Sequence, residues 1–458
     1  MTALILSAKD KLAELASSRC SPKLLSEIRR LLERGSDRDC YKINAFRIAD
    51  AAGVSRIESL RGFLFATRLG LMDMNYDVHC PNCRGLPAFH KHLMGLKNLA
   101  HCMMCETDFN VSFEENVEVT FTPNADVRRI RYRHQKNRGM EGRKAYFFEI
   151  VAREGRLFPL GDFFRPGETK ALRGDLEPGN YRYYHSLGRG HYRPFEVRGP
   201  KTTRVQTANV TVAKDGSIEA DRLTLRPGPV EILVGYRYPR AWGFCAQNDK
   251  PLKNWVSAAY VTSQQDYRDL FGGDFLAPDV SFAIRSTTLM FTDIKASTRM
   301  YERLGDSRAY AVVQGHFRVM TEAIRRHEGG IVKTIGDAVM ASFPANADAV
   351  KAAHAIQEAL GAKMIKGTRV EVKIGIHRGP SIAVTSNRSL DYFGRMVNVA
   401  ARAQGESRAG EIVLTEAALR DPAVSSFLKK MRLSPRRFAA ALKGVGGKTP
   451  LFRIKAAP

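Results

Sequence analysis

Long hydrophobic runs are missing from this 458-residue chain: no stretch of about 18 apolar residues occurs, so no membrane-spanning helix is expected. The opening residues MTALILSAKDKLAEL carry charges directly after a very short apolar run. That pattern fits an amphipathic helix better than a secretory leader, so a cytoplasmic protein is expected. Cysteine is scarce, 7 residues in all, which excludes a disulfide-stapled scaffold. Internal repeats and low-complexity linkers are absent, which excludes a solenoid or an array. Acidic residues fall short of basic ones, 47 against 72, for a net charge of +25. After residue 284 the imbalance is 29 basic to 14 acidic. Such a surface concentrates polyanions, whether nucleoside triphosphates, nucleic acids or anionic membranes, although a plain solvated surface has the same composition. What remains, 44% hydrophobic and 26% charged residues, describes a globular chain too long for one domain.

Four of the cysteines form Cys80-x2-Cys83 and Cys102-x2-Cys105, with eighteen residues between the pairs. Each pair can turn two thiolates toward one ion, and two such knuckles complete a closed tetrahedral site. A structural Zn²⁺ in a ribbon over 76–115 is the expectation; four reduced cysteines in a small core is the other reading. Cys20, Cys40 and Cys245 have no evident partner and read as packing residues.

Ahead of the ribbon, 1–75 reads as a helical module, with Leu12, Leu15, Leu24, Leu25, Ile28, Leu31 and Leu32 at helical spacing. INAFRIADAAGVSRIESLRGFLFATRLGLM then predicts helix, turn at Gly53, helix, and a strand from Met72, a winged helix-turn-helix pattern. Because that shape often serves only for packing, nucleic acid is not expected as a partner. From 116 to 250, VEVTFT, YFFEIVA, RVQTANVTVA and VEILVGYRY alternate as strands between PGET, EPGN, KDGS and RPGP turns, predicting an all-β sandwich or barrel. A helical linker over 251–283, NWVSAAYVTSQQDYRDLFG ending at Gly272-Gly273, is placed to pass regulation between the halves.

Residues 284–456 read as strand, helix, strand, strand, helix, strand, which predicts a multidomain α+β chain ending in a ferredoxin-like core. STTLMFTDI is a strand, 297–326 one long helix, IVKTIGDAVMASF two strands about a Gly336-Asp337 turn, and VEVKIGIHRG another strand. Asp293 ends one strand and Asp337 sits at the hairpin turn. If those strands are neighbours, two carboxylates meet at one sheet edge, a donor set suited to Mg²⁺ when phosphates complete the shell. Either aspartate alone would read as a turn or cap residue.

The blocks FTDIKAST, HEGGIVKTIGDAVMASF, VKIGIHRGP, LDYFGRMVNVAARAQ and LKGVGGKTPLFRI, in order and correctly spaced, resemble the class III adenylate and guanylate cyclases over nearly all of 284–456. The resemblance implies that Asp293, Asp337 and the Ile294 carbonyl hold two Mg²⁺ or Mn²⁺ ions per site. It implies that Lys333 and Asp391 select the base, that Asn398 and Arg402 serve the transition state, and that Lys443 holds the terminal phosphates. It further implies a homodimer, with the aspartates from one subunit and Asn398 and Arg402 from the other, so a monomer would be inactive.

Hydrogen bonding decides the base. Adenine offers an acceptor at N1 and a donor at its 6-amino group; Lys333 only donates and ionised Asp391 only accepts. Guanine has the opposite polarity, leaving buried groups unpaired at about 1–3 kcal/mol each. Asn398 and Arg402 lie four apart in VNVAAR, on one helix face, where an arginine can stabilise charge on a five-coordinate phosphorus. His316, His327 and His377 read as structural. The expected protein is an adenylate cyclase acting on ATP, its N-terminal half receiving an unidentified regulatory ligand or protein. Alternatives are a guanylate cyclase, or a nucleic-acid-binding regulator with a secondary cyclase domain.

Overall fold

The computed structural model describes residues 6–18, 20–131, 147, 159–185, 192–249 and 254–455. Four helices come first: Leu6–Ser17, Pro22–Arg34, Ala45–Ala52 and Arg56–Arg68. Ser21, Asn44 and Ser55 cap the last three by accepting amide hydrogen bonds from the first turn. Gly53 takes the left-handed conformation at φ 63° that closes the third helix, so the chain turns where the sequence predicts. A three-stranded sheet follows, with Met72–Val78 between Ala88–His90 and Val117–Pro123.

The sequence pattern assigns that last strand to the β-rich segment downstream. It pairs instead with Met72–Val78, from Met72↔Pro123 to Val78↔Val117. The cysteine segment is therefore an excursion between two paired strands of one helix-and-sheet unit. Alternation marks a strand but not its partner, so the pattern alone sets the boundary too early.

Residues 160–248 form two facing sheets. One has the order Ile218–Ala220, Gln206–Val212, Gly228–Tyr236, Thr169–Leu176; the other Thr224–Leu225, Tyr192–Val197, Gly179–His185, Trp242–Asn248, Leu160–Phe164. Val210, Ile232 and Val234 of the first meet Tyr183, Phe195 and Phe244 of the second in one core. The expected strand YFFEIVA lies outside the described residues, apart from Phe147.

Two short helices, Ala258–Thr262 and Gln265–Phe271, stand in place of the single expected linker helix. The C-terminal domain then runs Phe282–Ile294, helices Ser297–Leu304 and Asp306–Arg326, hairpin Gly330–Ile335 and Ala338–Phe343, helix Asn346–Ala362, strand Val372–Ser386. The expected long helix over 297–326 is two, because Gly305 turns to φ 72° and its amide closes onto Tyr301.

Numbering these four strands one to four in chain order, their order across the sheet is four-one-three-two, the ferredoxin-like arrangement. Glu411–Thr415 extends it in parallel beside Val372–Ser386, followed by Lys448–Lys455 and Arg436–Ala441. Met290, Val339 and Ile374 face Val313, Ile324 and Ile356 of the covering helices. Leu289 and Phe291, one residue out of phase, face the other way, into a core with Met396 and Ala400 of helix Arg395–Gly405. That same core runs on through Tyr267, Val256 and Phe121 to Phe63 and Leu12, so the N-terminal unit and the C-terminal sheet share apolar packing. Among the described residues no helix is long and apolar enough to cross a membrane.

Candidate active site

Strand register brings the two aspartates together. Thr292 pairs with Val339 and Asp293 with Lys373, while the hairpin turns through Gly336, at φ 64°, and Asp337. The turn therefore lies beside the end of Phe282–Ile294, and the Ile294 amide donates to Asp337 Oδ2 at 3.3 Å. Burial, then the Asp337 charge, pushes the Asp293 carboxyl above the usual range, and Lys373 Nζ at 3.9 Å offsets this only in part. Two hard carboxylates and a nearby carbonyl with so little positive compensation form a donor set that fits Mg²⁺ or Mn²⁺. His316 is fully buried, and its ring meets no polar side chain among the described residues, only the Val313 backbone. Burial lowers its pKa to about 4, with Asp337 pulling the other way. An uncharged ring packed against Phe317 agrees with a structural role.

Lys333 and Asp391 also meet, although 58 residues apart in sequence: Nζ lies 2.6 Å from Oδ2. Lys333 sits on the sheet's edge strand Gly330–Ile335, and Asp391 on Ser389–Phe393, which pairs with Val372–Ser386. The Tyr392 amide donates to Asp391 Oδ1 at 2.8 Å, which fixes the carboxylate. Asp391 is 7% exposed, so it is presented by the fold instead of floating on the surface.

Helix Arg395–Gly405 buries Met396, Val399, Ala400 and Ala403 and leaves Asn398 and Arg402 exposed on its opposite side. Neither of the two forms a side-chain hydrogen bond or ion pair among the described residues, and the chain does not bring them onto its own aspartates. Gly375 lets this helix lie hard on the sheet, since a Cβ there would come 2.1 Å from the Gln404 amide nitrogen. Lys443 is exposed in the loop between Arg436–Ala441 and Lys448–Lys455, joined to no other site residue. His377 Nδ1 shares a 2.8 Å hydrogen bond with Thr415 Oγ1, and burial takes its pKa down to about 4. His327 is also lowered, chiefly by burial.

Sequence reasoning misses three contributors. Lys373 approaches Asp293 from the adjacent strand. Gln265 and Arg268 belong to the linker helix yet contact the strands that carry Lys333 and Asp391. No local signal marks them, because the contacts that tie them to the site are long-range.

The four cysteines gather as well, with all four sulfurs within 4.8 Å of one another and buried. Sγ–Sγ separations of 3.7 Å for Cys80–Cys105 and 3.6 Å for Cys83–Cys102 are far from a disulfide bond. The residue after each second cysteine, Arg84 at φ 56° and Glu106 at φ 50°, is left-handed, so the two turns share one shape. The Gly85 amide also points at Cys83 Sγ at 3.4 Å.

The second helix of the helix-turn-helix pattern, Arg56–Arg68, buries Ser59, Leu60, Gly62, Phe63, Leu64 and Ala66. Arg61 is engaged by Asp266 and Arg56 by Asn254. A recognition helix must offer an open face to a groove, and here Arg61 is held half-buried against Asp266 while Arg56 and Arg68 stay exposed.

Residues 281–444 match the family described as "Adenylate and Guanylate cyclase catalytic domain", and residues 6–152 match a "Family of unknown function (DUF5939)". Among curated proteins, the chain is similar to an adenylate cyclase of Lachancea kluyveri, at 32% identity over 163 residues, covering 31% of this chain and 9% of that one. It is likewise similar to an adenylate cyclase of Anabaena cylindrica, at 34% over 154 residues, covering 30% of this chain and 31% of the relative. The chain thus spans less than a third of these relatives' length. Solved structures include the adenylyl cyclase CyaB from P. aeruginosa, at 21% identity, TM-score 0.32, covering 38% of this chain and 95% of that one. Another is the guanylate cyclase domain of RhGC from Catenaria anguillulae, at 23%, TM-score 0.34, covering 38% and 99%. Residues 281–444 thus carry the likeness to nucleotide cyclase catalytic domains.

Proposed function

We propose that the cyclase domain converts ATP to 3′,5′-cyclic AMP and pyrophosphate at sites completed across a homodimer, with the N-terminal half regulating it. The observation that carries the choice of ATP is the Lys333–Asp391 pair at 2.6 Å, one donor beside one acceptor. Opened around a base, the pair complements adenine N1 and the 6-amino group and mismatches guanine at both atoms. The names of the curated relatives agree with this choice.

Divalent cations held by Asp293, Asp337 and the Ile294 carbonyl would supply acidity at the 3′-hydroxyl and charge neutralisation on the triphosphate. The chain's own residues do the rest. Arg402 donates to the α-phosphoryl oxygens as O3′ bonds to phosphorus and the bond to the β-phosphate bridging oxygen breaks. Asn398 orients the ribose, and Lys443 holds the departing pyrophosphate. Asn398 and Arg402 face away from the helix's own packing side and have no polar partner among the described residues, so they suit a site on a second copy of this chain. The cysteine cluster fits a structural Zn²⁺, with four thiolates and no open position.

Purified full-length protein is incubated with Mn²⁺ or Mg²⁺ and either ATP or GTP. The expected products are cyclic AMP and pyrophosphate from ATP alone, lost in Asp337→Ala. Cyclic GMP as the main product would overturn the assignment of the base.

A further inference from the structure

The region matching the cyclase family begins at residue 281, yet the strands bearing Lys333 and Asp391 are both gripped by a helix that ends ten residues earlier. Gly330–Ile335 is the outermost strand of its sheet, which leaves backbone groups without a neighbouring strand. Gln265 fills that place. Its backbone amide donates to the Gly329 carbonyl at 3.0 Å, and its Oε1 accepts from the Ile331 amide at 2.7 Å. One residue thus makes the two bonds that a paired strand would make, two positions before Lys333. The fit is close: a Cβ on Gly330 would lie 2.5 Å from the Ser263 carbonyl oxygen and 3.0 Å from Arg268 Cδ.

Arg268, one turn further along the helix, reaches the other strand. Its Nη1 donates to the Leu390 carbonyl at 3.2 Å, and its guanidinium carbon lies 5.9 Å from the Tyr392 ring centroid. These are the neighbours of Asp391 on either side. Nε and Nη2 of Arg268 are buried without a hydrogen-bond partner, so a single bond and an aromatic face seat this guanidinium. The same helix is tied to the N-terminal unit. Asp266 accepts from Arg61 Nε at 2.7 Å and faces Arg325 Nε at 3.3 Å, and Tyr267 shares a 2.7 Å hydroxyl contact with Tyr76.

We infer that Gln265 and Arg268 are positioning residues for base recognition, holding Lys333 and Asp391 at the spacing that accepts adenine. Nucleotide affinity is thereby set from outside the catalytic domain, through a helix that the N-terminal unit anchors. This inference rests on the base-selecting role given above to Lys333 and Asp391.

The test uses the full-length chain and binding of 3′-deoxy-ATP and 3′-deoxy-GTP, which lack the attacking oxygen, followed by kcat and KM with ATP. Wild type should favour the adenine analogue. Loss of one such hydrogen bond in Arg268→Ala or Gln265→Ala should weaken 3′-deoxy-ATP and raise KM about tenfold, with kcat changed less than about threefold. Arg268→Lys, which keeps a donor for the Leu390 carbonyl, should recover most of the affinity. If wild type shows no preference for the adenine analogue, the role of Lys333 and Asp391 falls, and this inference with it. If wild type discriminates but both alanine variants bind within twofold of it, the positioning role alone is overturned. That role is equally overturned if Arg268→Lys is as weak as Arg268→Ala while all variants share the wild-type unfolding midpoint.

Discussion

Lys333 and Asp391 show how little chemistry a residue carries alone. Either could be a surface charge; it is the 2.6 Å contact across two strands that sets one donor beside one acceptor. Asp391→Ala should therefore raise KM for ATP about tenfold and erase the preference for ATP over GTP, as read by competing the two nucleotides in one assay. His377 supports a prediction of a different kind. Burial holds its folded pKa at about 4, below the ordinary value of 6.5, so the unfolded chain binds more protons between those values. Its contribution to stability is intact above pH 6.5 and is lost as pH falls toward 4. Urea midpoints measured across that window should drop with acid, and the drop should shrink in His377→Gln.

Elements come next, and here glycine decides where a helix can lie. The helix carrying Asn398 and Arg402 rests on Gly375 so closely that any Cβ meets its backbone. Gly375→Ala should displace the helix, destabilising the protein by about 1–3 kcal/mol and cutting turnover more than nucleotide affinity. Thermal unfolding and steady-state kinetics check the two parts. The cysteine turns act as a joint between elements. Cys105 Sγ lies 3.2 Å from the Tyr184 hydroxyl, and the Asn82 carbonyl accepts from Arg182 and Gln247 at 3.2 Å each. Glu106 pairs with Arg240 at 2.9 Å. Purified protein should hold one zinc per chain by elemental analysis. Cys80→Ser or a strong chelator should remove it and lower the unfolding midpoint by several degrees.

At the scale of the whole molecule, what matters is which surfaces are complete within one chain. Asp293 and Asp337 are assembled in one copy, whereas Asn398 and Arg402 are exposed on the open side of their helix and bond to neither aspartate. Mixing Asp293→Ala with Arg402→Ala chains should therefore restore activity, since one of the two heterodimer sites is intact. Up to about a quarter of wild-type turnover is expected from random pairing of the two chains. No rescue in verified heterodimers would overturn the shared site. The N-terminal unit and the C-terminal sheet share a core from Leu12 to Ala400, so the two are packed together and do not hang on a loose tether.

Much of this is legible in the sequence, because some features depend only on local covalent and periodic constraints. Gly53 between two apolar-striped segments dictates a helix-turn-helix, alternation dictates the strands, and the strand-helix order dictates the ferredoxin-like core. The cysteine spacing and the aspartates at a strand end and a turn are visible as candidates for the same reason. What the tertiary structure alone decides are the matters of partnership. It assigns Val117–Pro123 to Met72–Val78, ties Arg61 of the Arg56–Arg68 helix to Asp266, breaks the long helix at Gly305, and sets Gln265 and Arg268 against the strands that carry Lys333 and Asp391. Sequence patterns report the period and polarity of a segment. Which other segment meets it, hundreds of residues away, is fixed only when the chain closes on itself and every buried group must find its neighbour.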